Sequence, residues 1–119
     1  MSIGNATFAH CKALPSIILP NGLLHIKNSG FYNTSSLSSI EFPETLLTLG
    51  NNAFEGSGLT TLYLPANIES IGTRCFYNCD KLLEATVVSG IELISSECFE
   101  NCGALTDVYL SEGLITIGS

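Results

Sequence analysis

Five cysteines and two histidines are the side chains of this 119-residue chain with the strongest claim to metal or redox chemistry. Cys75 and Cys79 are four residues apart, as are Cys98 and Cys102. With Cys11, His10 and His25 they could offer thiolate and imidazole ligands to zinc. The same thiols could instead pair as disulfides. The pattern around them weighs against both. Cys11, Cys79 and Cys102 hold one position of a repeating pattern that carries Thr34 in another copy, and Cys75 and Cys98 hold a second position that carries Thr7, Gly30 and Ala53. Such slots ask for a small side chain, and free cysteine packs as a small hydrophobe. The odd number of cysteines and their stacked placement also speak against a bridged framework, and reduced thiols lean towards an intracellular compartment. His10 falls in a turn and His25 beside a core residue, where solvation or local hydrogen bonding is the ordinary use. No Ser-His-Asp set, metal motif or phosphate-binding glycine loop is present. The expectation is a chain without enzymatic activity, catalytic residues, metal or cofactor.

The elements that position these residues are repeats. Ile3, Ile26, Leu49, Ile71, Ile94 and Ile117 recur at spacings of 23, 23, 22, 23 and 23, and a phenylalanine follows each of the first five by five residues: Phe8, Phe31, Phe54, Phe76 and Phe99. A period this short fits one coil of a solenoid, whose apolar side is buried only when coils stack. Leu14, Leu37, Leu59, Leu82 and Leu105 form the next column, the third repeat reaching it one residue early and so placing its deletion between Glu55 and Gly58. Ile17, Ile40, Leu62, Ala85 and Val108 follow, and two residues later Leu19, Phe42, Leu64, Val87 and Leu110, a step of strand periodicity. Pro20, Pro43 and Pro65 stop the strand in the first three repeats, with Val88 and Ser111 in their place later. Corners are expected at His10, Asn33, Gly56, Asn78 and Asn101, at the column of Gly22, Thr45, Asn67, Gly90 and Gly113, and at Gly4, Gly50 and Gly72 with Lys27 and Ser95 as exceptions. The run 73–77 has room for one helical turn and no repeat has room for more.

The strings Ile71-Gly72-x-x-Cys75-Phe76-x-x-Cys79-x-x-Leu82 and Ile94-Ser95-x-x-Cys98-Phe99-x-x-Cys102-x-x-Leu105-x-x-Val108-x-Leu110 resemble the BspA-like leucine-rich repeat, written I-G-x-x-A-F-x-x-C-x-x-L-x-x-V-x-L-P. The resemblance runs the length of the chain. It implies a leucine-rich repeat solenoid, a right-handed stack of about five short coils with a parallel β-sheet on one face and turns or short helical corners elsewhere. It further implies a binding or adhesion module of the kind found on cell surfaces. The sequence reads as one leucine-rich repeat domain over 1–119, with repeats starting near Ile3, Ile26, Leu49, Ile71 and Ile94 and a sixth beginning at Ile117. Both ends stand at the same phase of the repeat, so a segment of a longer array is expected.

Four Lys and Arg against eleven Asp and Glu give a net charge of −7, which repels phosphate backbones and anionic membranes, so neither nucleic acid nor membrane insertion is expected. No stretch has the length and apolarity of a membrane span, and no signal peptide is recognisable. What remains is surface. Where the strand columns point inward, their neighbours point outward: Ser16 with Ile18, Ser39 with Glu41, Thr61 with Tyr63, Glu84 with Thr86, and Asp107 with Tyr109. Two tyrosines, an isoleucine and three acids on one face suit recognition of a protein or glycan, since tyrosine is favoured at hot spots. The rival expectation is a structural element whose coils stack end to end in a larger assembly.

Overall fold

The computed structural model of the chain describes residues 2–87, 93–94, 97–110 and 116–117. Val88, Gly90, Ser95, Ser111 and Gly113 lie outside the described residues. The chain winds into a parallel-strand β-solenoid of about four turns. One ladder joins β1 (Ser2–Ile3), β2 (His25–Ile26), β3 (Thr48–Leu49) and β5 (Ser70–Ile71), with Ile3 beside Ile26, Ile26 beside Leu49 and Leu49 beside Ile71. Residues one repeat apart are thus direct neighbours. The short third repeat keeps this register because its missing residue falls in the corner at 55–58. A second ladder joins β4 (Thr61–Leu64), β6 (Glu84–Val87) and β8 (Asp107–Leu110), and a third pairs β7 (Leu93–Ile94) with β9 (Thr116–Ile117).

The corner that carries the phenylalanines is hydrogen-bonded as fully as a strand. In the first coil the amides of Ala6, Phe8 and His10 donate to the next coil, to the carbonyls of Asn28, Gly30 and Tyr32 at 3.0, 2.8 and 2.7 Å. The amides between them, of Thr7, Ala9 and Cys11, close turns within their own coil on Gly4, Ala6 and Phe8. Alternation of this kind needs a left-handed residue at each reversal. The expected column supplies one, with φ of 63° at His10, 61° at Asn33, 72° at Gly56 and 62° at both Asn78 and Asn101. A second column does the same four residues earlier in most coils: Ala6, Ser29, Asn52 and Arg74 have φ between 55° and 60°. Arg74 therefore interrupts the helical turn that 73–77 has room for, and the corner is a series of turns. Gly50 and Gly72 answer a different need. A Cβ on Gly50 would meet the Asn28 amide nitrogen at 2.5 Å, and one on Gly72 the Asn51 amide nitrogen at 2.4 Å. The Asn28 and Asn51 side-chain oxygens accept the amides of Asn51 and Thr73 at 2.8 and 3.0 Å, sealing the same approach.

Inside, five phenyl rings stack face to face: Phe8 on Phe31, Phe54, Phe76 and Phe99, with centroids 5.0 to 5.7 Å apart and planes within 12° of parallel. Phe31, Phe54 and Phe76 are wholly buried, together with Leu23, Ile26, Leu37, Leu46, Leu59, Leu64 and Leu82 from the neighbouring columns. Phe8 and Phe99 are partly covered. Val108 belongs to an inward column yet is 41% exposed, because β8 is the outermost strand of its ladder.

The strand expected in every repeat forms only from the third onward. Residues 16–19 and 39–42 follow the same columns but join no ladder. Phe42 gives the physical reason. Its ring occupies a slot filled by Leu19, Leu64 and Val87 in other coils, and it comes to rest edge-on to Phe54 at 5.5 Å. The coils are hydrogen-bonded up to Ser38, whose amide donates to Pro15 and whose carbonyl accepts from Thr60, and again at Leu47, whose amide donates to Leu24. Between these points the Thr45 hydroxyl still donates to Leu23 O and the Asn67 side-chain amide to Glu44 O, but the backbone of 39–42 joins neither neighbour in a ladder and depressions open on either side of it.

Candidate recognition face

The outward face of the second ladder is built by alternation along β4, β6 and β8. Leu62, Ala85, Leu64 and Val87 are buried, and the residues between them point out. Parallel register then places Thr61 beside Glu84 and Glu84 beside Asp107 in one outward row, and Tyr63, Thr86 and Tyr109 in the other. Tyr63 is 53% exposed and Tyr109 55%, with the half-buried Thr86 between them. At one coil spacing per step, the two rings stand about 10 Å apart over a floor made by the smaller side chain. Ser16, Ile18, Ser39 and Glu41 continue the rows across the first two coils and are exposed, Ile18 at 96%. Structure thus brings all ten expected residues to one side, six on a continuous ladder and four on the segments beside it.

Glu41, Glu84 and Asp107 make this face acidic. The Thr106 hydroxyl donates to an Asp107 oxygen at 3.2 Å. Among the described residues the ion pair is Arg74 with Glu97, on the corner, where the guanidinium also lies 4.9 Å from the Tyr77 ring centroid. Sequence columns did not reveal the depression beside Ile18, lined by Ser16 to Leu19, Asn21 and Ser39 to Glu44, or the smaller one lined by Ile40, Glu41, Phe42 and Tyr63. The signal was available in Phe42, the one aromatic residue in a column of leucine and valine.

The residues with metal-binding potential are placed elsewhere and used locally. His10 Nδ1 meets the Asn33 side-chain amide at 3.2 Å and its ring sits edge-on to Tyr32, while His25 Nδ1 meets the Thr48 hydroxyl at 2.7 Å. No group of three His, Cys, Asp or Glu side chains among the described residues could hold a metal ion. Cys75, Cys79 and Cys98 are buried, and Cys11 and Cys102 partly so; all five are free thiols. Burial pushes the Cys75 thiol well above its ordinary value and that of Cys98 up to about 12. Contact with the Cys102 thiol, reinforced by burial, raises Cys79, and the same contact lowers Cys102.

Three solved structures share this architecture. A leucine-rich repeat protein from Bacteroides ovatus is 27% identical, with a TM-score of 0.71 over 99% of this chain and 36% of its own. The pneumococcal vaccine antigen PcpA is 24% identical, with a TM-score of 0.84 over 92% of this chain and 27% of its own. The T. pallidum leucine-rich repeat protein TpLRR is 20% identical, with a TM-score of 0.72 over 98% of this chain and 66% of its own. The chain therefore spans about a third of the first and about a quarter of the second. No curated protein matches it. The BspA type leucine rich repeat region matches residues 1–119 in six copies. A repeat module of the interaction or structural kind is what such an array supplies. By its phased columns, its stacked parallel coils and that match over its whole length, the chain belongs to the BspA type leucine-rich repeat family.

Proposed function

We propose that the chain is a non-enzymatic recognition module that holds a protein partner against the outward rows of β4, β6 and β8. One observation carries the reading: Tyr63 and Tyr109 bracket Thr86 in strict register, on a rigid ladder, with Glu84 and Asp107 in the adjoining row. Two rigid aromatic anchors lose little conformational freedom on binding, and aromatic anchors hold a disproportionate share of interface energy. The acidic row suits a basic partner segment. We also read residues 1–119 as one leucine-rich repeat domain that is a segment of a longer array, in keeping with the greater length of the structural relatives.

The test is capture from a panel of extracted proteins and a glycan array, comparing the parent with the Tyr63→Ser/Tyr109→Ser pair and with His10→Ala/His25→Ala. Loss of about 1–2 kcal/mol, roughly tenfold in affinity, in the tyrosine pair alone supports the face. Equal binding by parent and tyrosine pair moves the site elsewhere. The alternative of coils stacking end to end has its own observation in the exposed inward-column Val108. A sedimentation coefficient that rises with concentration, and stops rising in Val108→Asp, would favour it.

A further inference from the structure

Two pairs of thiols lie in adjacent coils, and only one reaches solvent. Cys75, Cys98 and Cys79 are all fully buried, and Cys102 is partly exposed. The second pair belongs to a polar column that also holds Cys11, Thr34 and Ser57, each three residues after its phenylalanine. Turn bonds hold this column at one point of the coil: the Cys79 amide donates to Phe76 O at 3.3 Å and the Cys102 amide to Phe99 O at 3.4 Å. The Cys102 thiol then reaches across the stack and donates to Phe76 O at 3.1 Å. One carbonyl oxygen therefore receives both the Cys79 amide and the Cys102 thiol, which brings the second sulfur onto the first cysteine's own turn. The phenylalanines of these two coils have ring centroids 5.5 Å apart. Equivalent residues of adjacent stacked coils are about 4.8 Å apart, inside the window of about 4.4–6.8 Å between the α-carbons of disulfide-bonded cysteines.

We propose that Cys102 is a thiol-modification site and that Cys79 resolves its adduct into a disulfide clasp between the fourth and fifth coils. The oxidant is a small-molecule disulfide. The Cys102 thiolate attacks one of its sulfurs, forming a mixed disulfide and expelling one small thiolate. Cys79 then attacks the Cys102 sulfur, forming the protein disulfide and expelling the second. Two protein thiols lose two electrons, one small disulfide becomes two thiols, and the two protons leave with them. Cys102 goes first because it is the more exposed and because contact with Cys79 lowers its pKa, burial and then Asp80 opposing the effect. The Cys79 thiol now rests on Phe54 O at 3.2 Å and against the Ser57 hydroxyl at 3.3 Å, so turning it towards Cys102 gives up those two weak contacts. Cys75 and Cys98, wholly enclosed, stay reduced.

The experiment exposes the folded protein to oxidised glutathione, quenches with an alkylating reagent and maps each cysteine by peptide mass spectrometry. A Cys79–Cys102 cross-linked peptide should appear at least about tenfold faster than any adduct at Cys75 or Cys98, as expected from differences in thiolate access. Cys79→Ser, which copies the residue at Ser57 in the same column, should stop at the glutathione adduct on Cys102. Cys102→Ser should abolish both products. The clasped protein should show a higher denaturant midpoint, reversed by reductant. A glutathione adduct that persists on Cys102 in the parent, reaction first at Cys11, Cys75 or Cys98, or no reaction in the folded chain while the denatured chain reacts, would each overturn the proposal.

Discussion

Truncating Phe54 should damage this protein more than truncating any other ring of the stack. Phe54 is wholly buried and touches three rings: Phe31 at 5.0 Å, Phe76 at 5.7 Å and, edge-on, Phe42 at 5.5 Å. Phe99 is partly covered and stacks on Phe76. Replacing a buried phenylalanine by alanine costs roughly 3–5 kcal/mol through lost burial and the cavity left behind. Each aromatic pair adds about 0.5–1.5 kcal/mol beyond its area, so three pairs place Phe54→Ala at the top of that range, near 5 kcal/mol. With one pair and a partly exposed ring, Phe99→Ala should cost roughly half as much. At about 0.05–0.15 kcal/mol per residue, a chain of this length has some 6–18 kcal/mol in total, so Phe54→Ala should fold but melt far earlier. The loss is also topological. Phe54 lies in the middle coil, and stability in a stack is a sum of coil and interface contributions, so weakening the centre uncouples the flanks. Urea unfolding followed by circular dichroism should show a lower midpoint and a shallower slope for Phe54→Ala, and a lower midpoint with the parental slope for Phe99→Ala. Glu69→Ala, at an exposed site, is the control. A Phe54→Ala cost no greater than that of Phe99→Ala, or both within about 0.5 kcal/mol of that control, would refute the central role of Phe54.

Two other outcomes follow from the packing. Gly50→Ala would drive a Cβ against the Asn28 backbone and should cost roughly 1–3 kcal/mol, whereas Gly103→Ala, with nothing within 4 Å, should be close to neutral in the same melts. Alkaline pH should destabilise the fold: Cys75, Cys79 and Cys98 have raised pKa values, so the stability they lend is complete below the ordinary thiol value and is lost as pH rises towards the folded values. For Cys98, displaced from 9.0 to about 12, the loss across that interval is of order 4 kcal/mol. Melts at rising pH should show this decline in the parent and a flatter one in Cys75→Ala/Cys98→Ala; parallel curves would count against the burial argument.

The core columns were legible because each is a side-chain requirement repeated five times. A ring must stack on a ring, so phenylalanine recurs at 8, 31, 54, 76 and 99. The corner at His10, Asn33, Gly56, Asn78 and Asn101 was legible for a similar reason, since asparagine and glycine tolerate the left-handed backbone found there. Its partner at Ala6, Ser29, Asn52 and Arg74 has the same backbone and no common chemistry, so nothing in residue type announced it. The ladder through Ile3 and Ile26 went unread because two residues cannot display an alternation. The outward rows were placed by strand parity alone, and parity held even at Ile18 and Glu41, where no strand forms. Parity could not foresee that the backbone around Phe42 would join no ladder. That depends on ring volume against Phe54, a contact between different columns.

The inter-coil hydrogen bonds, from the Phe8 amide to Gly30 through the Phe76 amide to Cys98, all run along the stack. A force applied to the two ends of the chain along that axis would load them one coil at a time, as a zipper is opened, and not all together as in sheared strands. Each coil released would lengthen the tether by the contour of 22 or 23 residues, about 75–80 Å. Under tension the molecule would therefore lengthen in a series of near-equal steps at modest force, a shock absorber whose stroke is set by the repeat length.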